Sequence, residues 1–513
     1  MLTGKSDLFT RIDGEHTAFA IGPGGQHWGQ VYDKADVWQP AYEAPWGGSL
    51  PIGTGVPASK GAGWSIPALF RDEGGVWILL HESGLSANYQ ASHLAAEAPL
   101  GVYRIAGPLS SDGLGSGSTQ PVTTLPAPLP WRFLVLGDSP SAIAQSNRVF
   151  DLAETTRIED TSWIRPGVAN WSWPSDHDSS QDYGKLVRFI RAAGAMDLDY
   201  SLIDANWSRI GPDAVERLVA EADKAGVGLM FWYNSGGAHN AVTEEPRNLM
   251  DDRMRRRAEF ARIARLGVKG VKIDFFQSDK QDRIHQYLEI LEDAAEFHLM
   301  INFHGCTVPR GWQRTWPNLM TMEAVRGGEH YSFESQPDFA QLAPLQNTTL
   351  PFTRNVIGSM DFTPIGFSSL RRPHITTNAH EAALGVVFES GLQHLMDSVE
   401  GYGAAIADYR AYLADLPAAW DETRFLAGFP GRDVVVARRA GKRWYVAGLN
   451  GLGTARTLNV DLGFIARSSA NALILEDGKA SRGFVSRRVH VKKGTMQVRT
   501  APFGGFVLVI DPG

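Results

Sequence analysis

Between about residue 160 and residue 400, short apolar runs alternate with amphipathic stretches, and this rhythm constrains the fold more than any other feature. The runs Ala169–Trp173, Tyr200–Asp204, Gly228–Tyr233, Gly270–Phe275, Leu299–Phe303, Leu319–Glu323, Thr353–Met360 and Leu392–Asp397 have the length and composition of strands buried on both faces. Helical stretches lie between them, among them Asp213–Ala225, Arg253–Leu266 and Arg283–Phe297. In the first of these, Val215, Leu218, Val219 and Ala222 recur at the spacing of one helix face. Eight strands with intervening helices over roughly 250 residues predict a closed (β/α)8 (TIM) barrel. The interval between the sixth and seventh strands is long and poorly helical, so a loop is expected in place of one helix.

The flanks read differently. Residues 1–155 are rich in Gly, Pro and Ser, with strand-like runs such as Val76–Leu80 and Trp131–Leu136. The turn-rich stretch Asp112–Pro130 is expected to be a surface loop. Beyond residue 420, Asp433–Ala437, Trp444–Leu449 and Phe506–Ile510 again look like strands. The predicted architecture is an N-terminal β-sandwich (1–155), a barrel (156–418) and a C-terminal antiparallel β-sandwich (419–513). A chain of 513 residues is too long for one hydrophobic core, which agrees with several domains.

Bulk charge narrows the function classes. A net charge of -7 argues against nucleic acid or an anionic membrane as partner. The single cysteine, Cys306, excludes an intrachain disulfide. No apolar run reaches the roughly 18 residues that a spanning helix needs, so membrane insertion is not expected. The first residues lack the apolar stretch of a signal peptide, so the chain is expected to be cytoplasmic as it stands, or periplasmic or secreted if a leader has been removed. No feature fixes an oligomeric state.

Barrel enzymes carry their chemistry at the C-terminal ends of the strands, and polar groups recur there: Asp204, Asn234, Asp274, His304, Glu323 and Asp397. In Val271-Lys272-Ile273-Asp274 the period-two alternation sends Lys272 and Asp274 into the mouth and Val271 and Ile273 outward. A lysine beside an aspartate favours the ionised carboxylate, which suits a nucleophile. A structural salt bridge is the equally weighted alternative. His304 should share the face of Asn302, as a donor to substrate or as a buried, carbonyl-bonded histidine. Glu323 and Glu329 leave the next strand on a glycine-bearing loop. They could hold a hard cation, act as general acid, or form ordinary surface ion pairs.

Taken in order, these runs resemble glycoside hydrolase family 97. The resemblance rests on Asn170-Trp171-Ser172-Trp173, Tyr200–Trp207, Val271–Phe276, His304–Glu329, Met360–Pro364 and Ser390–Gln393, with Leu80–Leu85 upstream, and it covers roughly residues 65 to 510. It implies a glycosidase acting on an oligosaccharide or glycoside. Asp274 stands where the retaining branch has its nucleophile, and Gly305 where the inverting branch has a glutamate base. The resemblance therefore implies a retaining, exo-acting, calcium-dependent α-galactosidase with Glu329 as acid/base. It further implies calcium ligands Glu82, Glu323 and Glu329, and substrate contacts from Lys272, Asp204, His304, Trp207 and Asp361. The N-terminal region is shorter than the family's usual β-sandwich. The alternatives are an inverting α-glucosidase, a non-catalytic carbohydrate-binding barrel, and a transition-metal hydrolase, which would want clustered histidines.

Overall fold

The computed structural model describes residues 1–4, 9–336, 338–465, 468–480 and 482–511. At its centre is a seven-stranded parallel sheet rolled into a nearly closed barrel. In chain order its strands are Gly167–Trp171, Tyr200–Ile203, Gly228–Asn234, Gly270–Asp274, Met300–Phe303, Leu319–Met322 and Leu392–Leu395. The first six pair in sequence order, and the seventh returns to pair with the first, Gly167 opposite Leu392, leaving the sixth and seventh unpaired with each other.

The expected strand Thr353–Met360 is not formed. The 3-10 turn Arg354–Val356 lies within it, just after another at Leu350–Phe352. A single bridge, Met322 to Met360, is what remains of that stave. The reason lies in Arg354. Its buried guanidinium donates to the carbonyls of Met322, Glu323, Ala324, Gly358 and Ser359, curling the chain around itself. Those bonds satisfy backbone acceptors that a ladder would otherwise claim.

The helices outside the barrel follow local rules. Ala214–Ala225 buries Ala214, Val215, Leu218 and Ala222 and ends at Gly226 in the left-handed conformation, with Lys224 in its last turn. Tyr183–Ala195 and Arg253–Arg265 start at Asp182 and Asp252, whose carboxylates accept from Lys185 N at 3.1 Å and Arg255 N at 2.9 Å.

Two five-stranded antiparallel sheets and a two-stranded one form the N-terminal region, and a six-stranded and a two-stranded antiparallel sheet form the C-terminal one. The C-terminal sheet docks on the fully buried helix Asn378–Val387. There Arg438 donates to the carbonyl of Val386 at 2.7 Å. The N-terminal sheets share one continuous apolar core with the barrel. Polar ties cross the same boundary: His81 Nε2 to the Pro309 carbonyl at 2.9 Å, and Trp312 Nε1 to the Leu85 carbonyl at 2.7 Å. The stretch expected to be a surface loop is partly a plug. Asp112 is buried and accepts from the Tyr32 hydroxyl at 2.9 Å, and Lys280 of the barrel donates to the carbonyls of Ser110, Asp112 and Ser116.

Candidate active site

The fourth barrel strand alternates as its sequence demands. Val271 and Ile273 pack outward in the main core, and Lys272 and Asp274 share the inner face. Lys272 Nζ lies 3.2 Å from Asp204 Oδ2 and 3.9 Å from Asp274 Oδ2, and 4.2 Å above the ring of Trp171. Burial works against its charge, but the carboxylates of Asp204 and Asp274 outweigh burial and hold Lys272 above its ordinary value. Trp171 Nε1 donates to Asp204 Oδ2 at 2.8 Å, and Trp232 Nε1 to Asp274 Oδ2 at 3.1 Å. One carboxylate is thus flanked by a cation and an N–H donor at the end of a rigid strand, the setting an attacking oxygen needs.

Behind Asp274 stands Gly305, with φ +48°. A Cβ there would come within 2.8 Å of Asp274 Oδ1 and 2.7 Å of Phe275 N. Space for the aspartate and space for a side chain at 305 exclude one another.

Across the mouth, Asp361 collects three donors on Oδ2: Asn302 Nδ2 at 2.7 Å, His304 Nε2 at 2.7 Å and His394 Nδ1 at 2.8 Å. Burial disfavours its charge, but the charge of His394 and the hydrogen bonds from both histidines hold it well below the carboxylate range. An ionised Asp361 only accepts, so His304 carries its proton on Nε2. Burial and Lys272 hold His304 low, hence neutral near pH 7, and its bare Nδ1 faces Glu323 Oε2 at 3.4 Å.

Glu329 sits in the 3-10 turn Gly328–Ser332. That turn is tied down by Glu329 N donating to Thr363 Oγ1 at 2.9 Å and Gly328 N donating to the Phe362 carbonyl at 2.6 Å. Gly328 allows the approach, since a Cβ there would meet the Thr363 carbonyl at 2.3 Å. Glu329 keeps some accessible surface, but its carboxyl is surrounded by protein. Burial pushes it up to about 8; Lys272 opposes this, while Asp274, Asp204 and Asp361 add to it.

His304, Glu323 and Glu329 bring ligand atoms within 4.8 Å of one another. Glu323 is pushed well up by burial and then by Glu43, Glu329 and Asp274; Glu43, from the N-terminal region, is pushed up by burial and by Glu329 and Asp274. Among the described residues no lysine or arginine forms an ion pair with these three carboxyls. Glu43 lies near enough to raise Glu323 but is not one of the three clustered groups. His304, Glu323 and Glu329 could hold a metal ion, and the two carboxyls suit a hard cation with oxygen ligands such as calcium. The imidazole is the less suitable donor for it.

Two expected site residues are placed elsewhere. Glu82 does not reach this cluster. Its carboxylate pairs with Arg132 at 2.7 Å and with Arg310, and accepts from Ser92 N at 3.1 Å and Ser92 Oγ at 2.6 Å. Trp207 lies outside the mouth: its Nε1 donates to the Trp232 carbonyl at 2.8 Å and its ring packs edge-on to Phe231 and Tyr233. Asn234 and Asp397, also at strand ends, anchor loops. The first donates to the carbonyls of Val242 and Glu244, and the second accepts from Phe367 N and Ser368 N.

Three family models match the chain in order: "Glycosyl-hydrolase 97 N-terminal" over residues 3–155, "Glycoside hydrolase 97" over 163–325 and "Glycosyl-hydrolase 97 C-terminal, oligomerisation" over 419–511. The chain belongs to glycoside hydrolase family 97. Among curated relatives, a "Probable retaining alpha-galactosidase" of Streptomyces bingchenggensis is 37% identical over 460 residues, 86% of this chain and 66% of that protein. A "Retaining alpha-galactosidase" of Bacteroides thetaiotaomicron is 29% identical over 416 residues, 75% of this chain and 60% of that protein. The family 97 chain described here thus spans just under two thirds of the length of these relatives. A solved structure titled "Crystal structure of beta-arabinopyranosidase" superposes with a TM-score of 0.91 at 31% identity, covering 96% of this chain and 79% of the other.

Several residues of this family 97 site escaped sequence reasoning. Trp171 and Trp232 were visible only as apolar strand residues, although period-two alternation puts both on the inner face with Lys272. His394 carried no motif beyond a strand end. Glu43 is in an irregular segment of another domain, where no periodicity speaks.

Proposed function

We propose that this family 97 chain is a retaining, exo-acting α-glycosidase that hydrolyses terminal α-galactosides by double displacement, with calcium dependence. The observation that carries this reading is the division of labour between two carboxyls. Asp274 is flanked by Lys272 and an indole N–H, while Glu329 is pushed up to about 8 and keeps its proton near pH 7. Paired carboxyls whose surroundings push them apart are what glycoside hydrolysis needs. The absence of any side chain at Gly305 supports retention over inversion, since no second base stands beside Asp274.

In the first step an oxygen of Asp274 attacks the anomeric carbon as the glycosidic C–O bond breaks, and the Glu329 proton passes to the leaving oxygen. The product is a glycosyl ester on Asp274. In the second step the Glu329 carboxylate takes a proton from water, whose oxygen attacks the same carbon and releases Asp274. Two inversions return the original anomer, and the mechanism calls for carboxyl groups about 5–5.5 Å apart. Lys272, Asp204, His304 and Asp361 present the polar surface for sugar hydroxyls. Glu43, Glu323 and Glu329 would hold calcium, which supplies positive charge to a carboxylate-rich pocket. Glu43 is the N-terminal domain's contribution in this reading, in place of Glu82.

A β-L-arabinopyranoside is the specific second substrate, favoured by the structural neighbour titled as a beta-arabinopyranosidase. It has the ring stereochemistry of an α-galactoside without the exocyclic carbon. The test is a panel of nitrophenyl glycosides read for rate and product anomer, with Asp274→Ala assayed with and without azide. Retained α product, loss of activity in the variant and its partial return with azide are expected. An Asp274→Ala protein with full activity refutes the assignment.

A further inference from the structure

The segment that carries Glu43 to the barrel mouth also holds an aromatic ring beside the catalytic loop. Trp38 is 50% exposed, whereas Trp171 and Trp232 are buried. An exposed indole on a flexible loop would be unremarkable, but this one is held on both sides. Asp36 Oδ1 accepts from Trp38 N at 2.7 Å and from Gln39 N at 2.9 Å, and Asp36 N donates to the Gln39 carbonyl at 3.2 Å. From the barrel side, the Gln277 amide donates to the Val37 carbonyl. The backbone is fixed and the ring is left open to solvent. That combination wastes apolar surface unless something covers it.

What the ring adjoins narrows the occupant. Its centroid lies 5.6 Å from Phe275 at 62°, and Phe275 lies 5.8 Å from Trp232 at 68°. Trp232 donates its N–H to Asp274, and Phe275 follows Asp274 directly in sequence. Phe275 has φ +72°, a region a phenylalanine rarely visits. That strain fits a residue held beside a functional site. Three rings therefore form a continuous line from the nucleophile to an exposed rim. The polar groups Asp204, Lys272, His304 and Asp361 are buried deeper, where the sugar that becomes attached would sit. The exposed end of the line meets the part of a substrate that projects outward.

We infer that Trp38, backed by Phe275, is the stacking platform for the leaving-group sugar, and so a specificity-determining residue for glycosides whose aglycone is itself a pyranose. The apolar C–H face of a pyranose matches an aromatic face, through burial and weak C–H contacts. The inference rests on the glycosidase reading above.

The test separates the two. The wild-type protein, Trp38→Ala and Trp38→Phe are assayed on α-galactosyl fluoride and β-L-arabinopyranosyl fluoride, whose leaving group is too small to reach the platform. They are also assayed on a panel of α-galactosyl disaccharides of different linkage. Trp38→Ala is expected to lose about tenfold in kcat/KM on the best disaccharide, mainly through KM, and to stay within about twofold on the fluoride. Trp38→Phe should recover most of the loss, and thermal unfolding should be unchanged in both. Equal losses on fluoride and disaccharide would make Trp38 a structural residue and overturn the inference, as would no loss on any disaccharide. If the wild type turns over neither fluoride, the glycosidase reading fails first and the platform falls with it.

Discussion

Replacing Gly305 by alanine probes the wall behind Asp274, the proposed nucleophile. The new methyl would stand 2.7 Å from Phe275 N, 2.8 Å from Asp274 Oδ1 and 3.0 Å from Phe275 Cα. Two of these atoms are backbone, so they yield only if the loop after the fourth strand moves. The third belongs to a carboxylate already held by Trp232 and Lys272. The left-handed φ of +48° adds about 1–2 kcal/mol for any residue with a Cβ. Overpacking adds about 1–3 kcal/mol more. A total of roughly 2–5 kcal/mol should appear as a lower Tm. The catalytic effect should be larger, because displacement of a reacting group by about 1 Å can cost around a hundredfold. Calorimetry and kcat/KM on α-galactosyl fluoride measure the two effects on one preparation. Wild-type kcat together with wild-type Tm would refute the claim that Asp274 and a side chain at 305 compete for one space.

Three further outcomes are expected. In the proposed mechanism Glu329 must be protonated to act, so kcat/KM of the calcium-loaded protein should fall as pH rises, with a limb at or below about 8 because a bound cation lowers the carboxyl; a limb that persists in the residual activity of Glu329→Gln would assign it to another group. Glu43→Gln should weaken calcium's thermal stabilisation of the protein and leave Tm in EGTA nearly unchanged; an unaltered calcium-dependent Tm shift would remove Glu43 from the ligand set. Burial alone would raise Glu82, but Arg132 and Arg310 overcome it and hold the carboxyl at about 2, against an ordinary 4.5. A depressed acid stabilises the folded state above its unfolded value, so a contribution of order 3 kcal/mol is present above about pH 4.5 and is lost as pH falls toward 2. Glu82→Gln should be less stable at pH 7 and should unfold with a shallower pH dependence in that window, and an unchanged acid-unfolding curve would count against the ion-pair reading.

The parts of this site legible in the sequence are those governed by periodicity. Alternation along Val271–Asp274 gave the inward pair, and the same rule paired Asn302 with His304, which converge on Asp361. Three features were not legible, each for a physical reason. The run Thr353–Met360 has strand-like composition, but Arg354 gathers five carbonyls and winds it into turns, a tertiary effect that no local propensity encodes. Glu82 is expected as a ligand only through the resemblance of Leu80–Leu85; its actual partners Arg132 and Arg310 come from distant segments. Glu43 follows Tyr42, a non-glycine residue at φ +62° whose hydroxyl binds Asp279, 237 positions away. Irregular backbone fixed by so distant a partner leaves no pattern to read.

That last contact has a consequence for how the molecule can be divided. Asp279 and Arg310 are barrel residues, yet Tyr42 covers the first and Glu82 pairs with the second. Both lie buried, and an excised barrel would present them to solvent without their partners, along with a strip of apolar surface. Its carboxylate cluster would also lack Glu43, and its rim would lack Trp38. The catalytic unit is therefore larger than the catalytic fold. A minimal enzyme drawn from this chain would have to keep the N-terminal segments that carry Tyr42 and Glu82, and a graft of these barrel strands onto another scaffold would leave Asp279 and Arg310 without those partners.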